Sequence, residues 1–384
     1  MTHPVPEGSL LLHIGPQKTG STAIQHALHH AREALAAHGV QYVGSRPVEK
    51  EAGWVALGFG ASIGRRPPRP ETWQRVVDEI AGATAPRLVL SNEDFGRADD
   101  DAIGRILAAC GAGRTHLVYV ARRLDKVLPS HWQQQIKARL TASYDDFLRE
   151  VLAPDAHTWT STLVMDPQDV GAVLARWGKV LPPERLTVIV ADEDDRAALP
   201  HAFESLLALP AGLIEPPPGP ANRSMALAET EAVRRVNAVS RAEGWTPGEY
   251  RNLVQLGVVK ALKERPAEAG GARLGGVPEW ALPRVADLAD AQVDAIISSG
   301  ATVIGDPERL RVRGRVEPVP AREPVTAVDL DLLADVVSGL RSGSARMQPT
   351  RPVDVGALRD ELGGRQLLQL LARRTAGRLG VRRR

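Results

Sequence analysis

Unbroken apolar runs recur through the first half of the chain: "LLLHIG" (10–15), "RLVLS" (87–91), "THLVYVA" (115–121) and "RLTVIVA" (185–191). A strand wetted on one face alternates apolar and polar residues, whereas a strand covered on both faces is apolar throughout, so these runs predict buried parallel strands. "VQYVG" (40–44) is a shorter candidate. Helical periodicity lies between the runs. In "STAIQHALHHAREALAAHG", Ile24, Leu28, Ala31 and Leu35 make one apolar face and Gly39 supplies a stop. "DVGAVLARWGKVL" (169–181) is a second helix, ended by Pro182-Pro183. Strands alternating with helices predict an α/β fold over roughly 8–215, a doubly wound parallel sheet flanked by helices.

"EPPPGPANRS" (215–224) breaks this pattern. Beyond it, periodicity predicts helices over 225–242, 249–264 and 283–299 and one strand-like run, "ATVIG" (301–305). Residues 311–325 and 341–352, rich in Arg, Pro, Gly and Ser, read as loops. The end, "LGGRQLLQLLARRTAGRLGVRRR", reads as a basic amphipathic helix running into an arginine tail. The expected organisation is an α/β domain over 8–240, a mainly helical extension or subdomain over 241–340, and a linker with a basic tail over 341–384. There is no internal repeat.

Composition narrows the classes. Hydrophobic content of 43% and charged content of 24% are those of a folded protein, and a net charge of +2 gives no general case for nucleic acid as a partner. Seven Lys stand against 41 Arg, which reads first as a genome composition bias. The single cysteine, Cys110, excludes an internal disulfide and a multi-cysteine metal site. "MTHPVPEGSL" has neither a basic region nor a long apolar run, so no signal peptide or membrane span is expected there, and a reducing cytoplasm is the simplest compartment.

Candidate chemistry starts at "HIGPQKTGSTAIQ". A strand, a glycine-bounded turn and a helix opening at Ser21 form a layout for a phosphate, whose charge the free N–H groups and helix dipole favour. The bland alternative is an ordinary βα connection with Ser21 or Thr22 as an N-cap. A nucleoside-triphosphate loop reads G-x-x-x-x-G-K-[ST]. Here Gly15 and Gly20 keep that separation, but Lys18 lies inside the loop and Ser21 follows Gly20. No acidic strand end completes a Walker-type site.

The loop resembles the 5′-phosphosulfate loop of sulfotransferases that use 3′-phosphoadenosine 5′-phosphosulfate, whose K-[ST]-G-[ST]-[ST] is filled by Lys18, Thr19, Gly20, Ser21 and Thr22. Sulfuryl transfer needs a cation near the oxygen bridging sulfur and the departing phosphate, and needs no metal ion. The resemblance implies a P-loop fold in which Gly15, Pro16, Gln17, Lys18, Thr19, Gly20, Ser21 and Thr22 hold the donor's 5′ end. In "HLVYVARRLDKVLPSHWQQQIK" (116–137), a strand end is followed by Arg122, Asp125 and Ser130. This resembles the family's R-x-x-x-[DE]-x-x-x-S motif, in which Arg and Ser hold the 3′-phosphate, with Asp125 one place before the motif's acidic position. The eight-residue spacing selects Arg122 over Arg123, and a guanidinium clamps a phosphate in bidentate fashion. "SHWQQQIK" also resembles the S-x-(Y/W)-x-Q-x-x-K run of bacterial sulfotransferase-like proteins. Pro129 suggests that the helix effectively starts near it, with Ser130 in the first turn.

The family places its general base after the strand between these motifs, and "RLVLSNEDFG" offers Glu93 there, with Asp94, His13 and His131 as rivals. "DVGAVLARWGKVLPPERLTVIVADED" and "NRSMALAETEAVRRVN" match the family more loosely, so the resemblance covers roughly 8–240. It implies a sulfotransferase with a carbohydrate or small-metabolite acceptor. The alternatives are a P-loop kinase, or a non-catalytic nucleotide-binding protein that keeps the fold. The Arg-rich C-terminus reads either as a solvated end or as a weak contact for a membrane or other anionic surface.

Overall fold

The structure, a computed structural model, describes residues 3–59, 67–154, 157–215, 224–266, 272, 274–316, 319 and 325–347. The basic tail therefore lies outside the described residues.

Six strands form one sheet: β1 (Ser9–His13), β2 (Val40–Tyr42), β3 (Arg87–Ser91), β4 (Thr115–Ala121), β5 (Leu186–Val190) and β6 (Thr302–Ile304). Their order is β2-β3-β1-β4-β5-β6, and every neighbouring pair is parallel. All the strand-like runs named above are in it. The expected doubly wound α/β architecture is thus the one observed. The unbroken apolar runs have a simple cause. Leu10 and Leu12 of β1 join the core on one face with Leu88, Leu90, Leu117 and Trp177, while Leu11 joins the opposite core with Val89, Val118 and Phe203.

The helices are α1 (Ser21–His30), α2 (Arg32–Ala37), α3 (Lys50–Ala56), α4 (Glu71–Gly82), α5 (Asp100–Cys110), α6 (Leu124–Lys137), α7 (Tyr144–Val151), α8 (Trp159–Met165), α9 (Val170–Trp177), α10 (Ala198–Leu207), α11 (Leu227–Ala242), α12 (Pro247–Tyr250), α13 (Val259–Glu264), α14 (Leu282–Ser298) and α15 (Leu330–Ser344). Residues from α1, α2 and α10 cover one face of the sheet, and residues from α3, α4, α5, α9 and the end of α14 cover the other. A third core, built on α6, α7, α11, α13 and α15, lies apart from the sheet. α14 belongs to both: Val285 and Ala289 enter the helical core, while Val293 and Ile296 enter the sheet core.

Four local expectations change. The helix expected over 21–38 is broken at Ala31, and Arg32 then donates to the carbonyls of Tyr42 and Gly44 beyond β2. α9 stops at Trp177, whose carbonyl takes the Val180 and Leu181 N–H groups in a terminal turn. The stretch expected to be a loop from 341 onward is still α15 as far as Ser344. Last, α6 starts at Leu124, not near Pro129, so Ser130 lies in the second turn. Pro129 gives up only the bond that would reach the Asp125 carbonyl, and its ring is buried.

Between α12 and α13 the chain forms a π-helix, Arg251–Val258, and α15 lies directly on it. A Cβ on Gly257 would meet the Gly339 carbonyl at 2.3 Å, and one on Gly339 would meet Val258 Cα at 2.6 Å. Backbones this close admit no side chain. Gly339→Val is therefore expected to destabilise the protein by about 3 kcal/mol in urea unfolding. Gly82→Ala, at the end of α4 with open space around its Cβ, should be neutral or gain about 0.5 kcal/mol. Equal stability of the two variants would contradict this packing.

Candidate functional site

In an open α/β sheet, ligands bind at the carboxyl ends of the strands where the winding reverses. Here the chain leaves β1 toward β2 and β3 on one side, then passes to β4 on the other. The reversal falls at the end of β1, where Ile14–Gly20 leads into α1.

The loop is held by its carbonyls. The hydroxyls of Thr19 and Ser21 both donate to the Pro16 carbonyl, at 2.7 and 2.9 Å. Gln168 Nε2 donates to the Gln17 carbonyl at 3.0 Å, and Arg122 Nη1 to the Lys18 carbonyl at 2.8 Å. With three consecutive carbonyls engaged by the protein, the amides on the opposite edge turn outward. The N–H groups of Gln17, Lys18, Thr19, Gly20, Ser21 and Thr22 make no hydrogen bond among the described residues. The N-cap of α1 is Gly20, with φ +101°, and no side chain caps the helix. The ordinary connection with Ser21 or Thr22 as cap is thereby excluded. Lys18 itself takes a left-handed φ of +71°, which costs about 1 kcal/mol for a residue with a Cβ. The result is a concave row of donors at a helix N-terminus, an arrangement suited to an anion.

The turn after β3, Glu93–Arg97, lies against this loop. A Cβ on Gly15 would stand 2.9 Å from both the Cα and the carbonyl oxygen of Glu93, so only glycine fits, and its φ of +88° suits glycine as well. The two neighbouring carboxylates are in different situations. Asp94 is buried, and both its oxygens are occupied: Oδ1 accepts from Gln17 Nε2 at 2.9 Å and Oδ2 from Trp54 Nε1 at 3.0 Å. Asp94 thus ties the loop to α3. Glu93 is half-buried, and its carboxylate has no hydrogen bond or ion pair among the described residues. Burial, and then the Asp94 charge, push its pKa above the ordinary carboxylate value, with Lys50 and Lys18 opposing. Burial lowers the Lys18 pKa, with Lys263 and Arg122 adding to the effect and Glu93 opposing it.

His13 and His131 are a different kind of group from the exposed base that a rival to Glu93 would need to be. Both are buried, and burial pushes each down to about 3. His13 Nδ1 pairs with Ser91 Oγ at 2.8 Å, and His131 Nε2 lies 3.3 Å from Gln168 Nε2.

Arg122 is brought to the loop, as the motif spacing suggests, but its guanidinium is already engaged. Nε and Nη2 make a bidentate pair with Glu193, at 2.6 and 2.8 Å, while Nη1 holds the Lys18 carbonyl. Arg123 makes a bidentate pair with the buried Asp125. Ser130, half-buried on α6, has no side-chain hydrogen bond among the described residues. Glu193, at the end of β5, is the partner that sequence reasoning missed, although the acidic run "ADEDD" after a strand signalled it. Gln168 was missed as well, and no local pattern marks it. Among the described residues, no group of three or more His, Cys, Asp or Glu is placed to hold a metal ion, and no helix is long and apolar enough to cross a membrane.

No protein-family model matches the chain, and no curated protein matches it. Among solved structures, it is similar to a sulfotransferase from Alicyclobacillus acidocaldarius, with a TM-score of 0.40 and 14% identity, covering 64% of this chain and 96% of that one.

The contrast between the two carboxylates is measurable. Asp94→Asn replaces one of two acceptor oxygens at a buried position by an N–H donor facing another donor and is expected to destabilise by about 2 kcal/mol. For Glu93 the sign is opposite. Its folded-state pKa is raised, so at pH 7 the buried charge works against folding, and Glu93→Gln should leave stability unchanged or raise it. Urea unfolding at pH 7 checks both, and equal losses would contradict the free carboxylate of Glu93.

Proposed function

We propose that the protein is a sulfotransferase that moves a sulfuryl group from 3′-phosphoadenosine 5′-phosphosulfate to an acceptor hydroxyl. The observation that carries this reading is the row of outward N–H groups from Gln17 to Thr22, with Lys18 inside it and the unpartnered Glu93 beside it. The donor's 5′-phosphosulfate lies along Gly15–Thr22. Arg122 and Ser130 hold its 3′-phosphate, which replaces Glu193 as the partner of the Arg122 fork; two oxygens at carboxylate-like spacing suit the same guanidinium.

In the transfer, the acceptor oxygen attacks sulfur in line with the bridging oxygen. A new S–O bond forms as the bond from sulfur to the phosphate oxygen breaks, and its electron pair stays on adenosine 3′,5′-bisphosphate. Lys18 supplies positive charge where that negative charge develops. Glu93 takes the acceptor's proton, and its raised pKa makes it a stronger base than an ordinary carboxylate. A Lys inside the loop distinguishes this arrangement from a nucleoside-triphosphate loop, whose Lys follows the second glycine.

Donor labelled in the sulfuryl group, incubated with a library of alcohols and sugars, tests the reading. Label should pass to an acceptor, and Glu93→Gln should lower turnover by about 10²- to 10⁴-fold while donor affinity stays within about twofold. Turnover should also fall on the acid side at a pH above the ordinary carboxylate range, since Glu93 acts only when deprotonated. Full turnover in Glu93→Gln would remove Glu93 as base, and label transfer to no acceptor, with consumption of a magnesium nucleoside triphosphate instead, would overturn the proposal.

A further inference from the structure

The sheet sets a fixed order across the carboxyl ends of its strands. In β2-β3-β1-β4, the segment after β2 lies on one flank of the loop that follows β1, and Arg122, after β4, lies on the other. Glu93, after β3, lies between the β2 flank and the loop. The proposed donor spans the loop and the β4 flank. A molecule that brings a hydroxyl to Glu93 therefore comes from the β2 side.

On that side, the turn after β2 and the first turns of α3 and α4 enclose a recess of about 240 Å³. Four cations line it: Arg46 from the turn, Lys50 at the start of α3, Arg69 just before α4, and Arg75 within α4. None of the three guanidinium groups makes a hydrogen bond or ion pair among the described residues. Two carboxylates share the wall. Glu49 is engaged by the turn itself, its Oε1 accepting from the Ser45 N–H, the Ser45 hydroxyl and the Arg46 N–H at 2.7, 3.0 and 3.1 Å. Glu51 is exposed. Four cations against two carboxylates leave the recess net positive. It continues over α4 into a shallower cavity that Arg69 and Arg75 also line, with Glu71. The backbone that carries these cations is held in place: Gly44 N–H donates to Glu79 Oε2 at 3.0 Å, the Tyr42 hydroxyl to the Pro47 carbonyl at 2.6 Å, and the Thr72 hydroxyl to the Arg69 carbonyl at 2.7 Å.

The recess is joined to the candidate base through α3. Asn92, the residue before Glu93, donates from Nδ2 to the Glu49 carbonyl at 3.2 Å. A Cβ on Gly53 would stand 2.0 Å from that same Nδ2, so α3 lies directly on the turn that carries Glu93. Lys50 lies over the Trp54 ring, 5.7 Å from its centroid, and the Trp54 indole N–H holds Asp94. Lys50 thus lines the recess and also opposes the rise in the Glu93 pKa. Whole-ligand pockets are usually about 300–1,000 Å³, so a recess of this size suits one anionic group rather than a whole molecule.

We propose that Arg46, Lys50, Arg69 and Arg75 anchor one anionic group of the acceptor, so that the acceptor is an alcohol already carrying a carboxylate, sulfate ester or phosphate ester. This rests on the donor reading above. Guanidinium forks take such groups in bidentate fashion, and the ammonium adds a point charge on the side of the base. The strand order then lays the reactants across the sheet: the anion beyond β2, the hydroxyl at Glu93 beyond β3, the sulfuryl group at the loop beyond β1, and the 3′-phosphate beyond β4. The anionic group and the reacting hydroxyl stand one or two strand spacings apart, roughly 5–10 Å.

Calorimetric titration of the full chain with inorganic sulfate tests the anchor, after saturation with donor has filled the loop. Saturable sulfate binding is expected, and it should weaken tenfold or more in the double variant Arg69→Met/Arg75→Met while donor affinity stays within about twofold. Both residues are exposed, and a thermal melt checks that the variant is folded. Arg235→Met, which removes an exposed arginine on α11, is the control and should bind sulfate as the wild type does. No saturable sulfate binding, or an equal loss in the control and the double variant, would overturn the anchor. Among alcohols that accept label from the donor, those with an anionic group should be preferred, and the double variant should raise their KM tenfold or more. Label passing only to uncharged alcohols would overturn the acceptor class. If the wild-type protein binds no donor, or passes label to nothing, the donor reading fails on its own. Sulfate titration of the nucleotide-free protein then decides the rest: binding that the double variant removes keeps the anchor, and identical curves remove it.

Discussion

Three consecutive carbonyls, those of Pro16, Gln17 and Lys18, point into the protein, and the candidate site depends on that constraint. Their partners come from three places: the loop's own hydroxyls, Gln168 before α9, and Arg122 at the end of β4. Arg122 has the widest reach, since its fork also binds Glu193 beyond β5. One side chain thus ties the ends of β4 and β5 to the loop after β1. Because peptide groups are rigid planes, turning the carbonyls inward turns the amides outward. The outward amide row is produced by the bonds on the other side of the chain.

The same logic extends outward. Gln168 is itself held through its carbonyl by Gln292 of α14 at 2.6 Å, and α14 is the helix shared between the sheet core and the helical core. The helical region is therefore connected to the loop through a chain of amides as well as through packing. On the other flank, Asp94 binds Gln17 and Trp54 and leaves Glu93 as the free carboxylate of the pair. Adjacent residues differ in situation: one carboxylate fixes the geometry, and its neighbour has a pKa that burial raises.

Much of this was legible in the chain. Unbroken apolar runs mark strands covered on both faces, and all six runs are strands of the sheet. The glycines at 15 and 20 mark the loop, because their conformations and close contacts exclude a Cβ. What was not legible depends on long-range partners. Pro129 looks like a helix start but lies inside α6, where the one bond it forfeits is affordable. Arg122 looks like a free phosphate clamp, but it is paired with a residue 71 positions away. Gly343 lies in a stretch that reads as a loop, yet in α15 it and Gly339 let the helix lie against the π-helix backbone.

The central claim is that the outward amide row with Lys18 takes a 5′-phosphate whose nucleotide also carries a 3′-phosphate, without metal. Competition calorimetry in EDTA, with adenosine 3′,5′-bisphosphate against adenosine 5′-monophosphate, tests it most directly. The account predicts binding of the bisphosphate at least tenfold tighter than the monophosphate, with no further gain on adding magnesium. Equal affinities, or binding that appears only with magnesium, would contradict it.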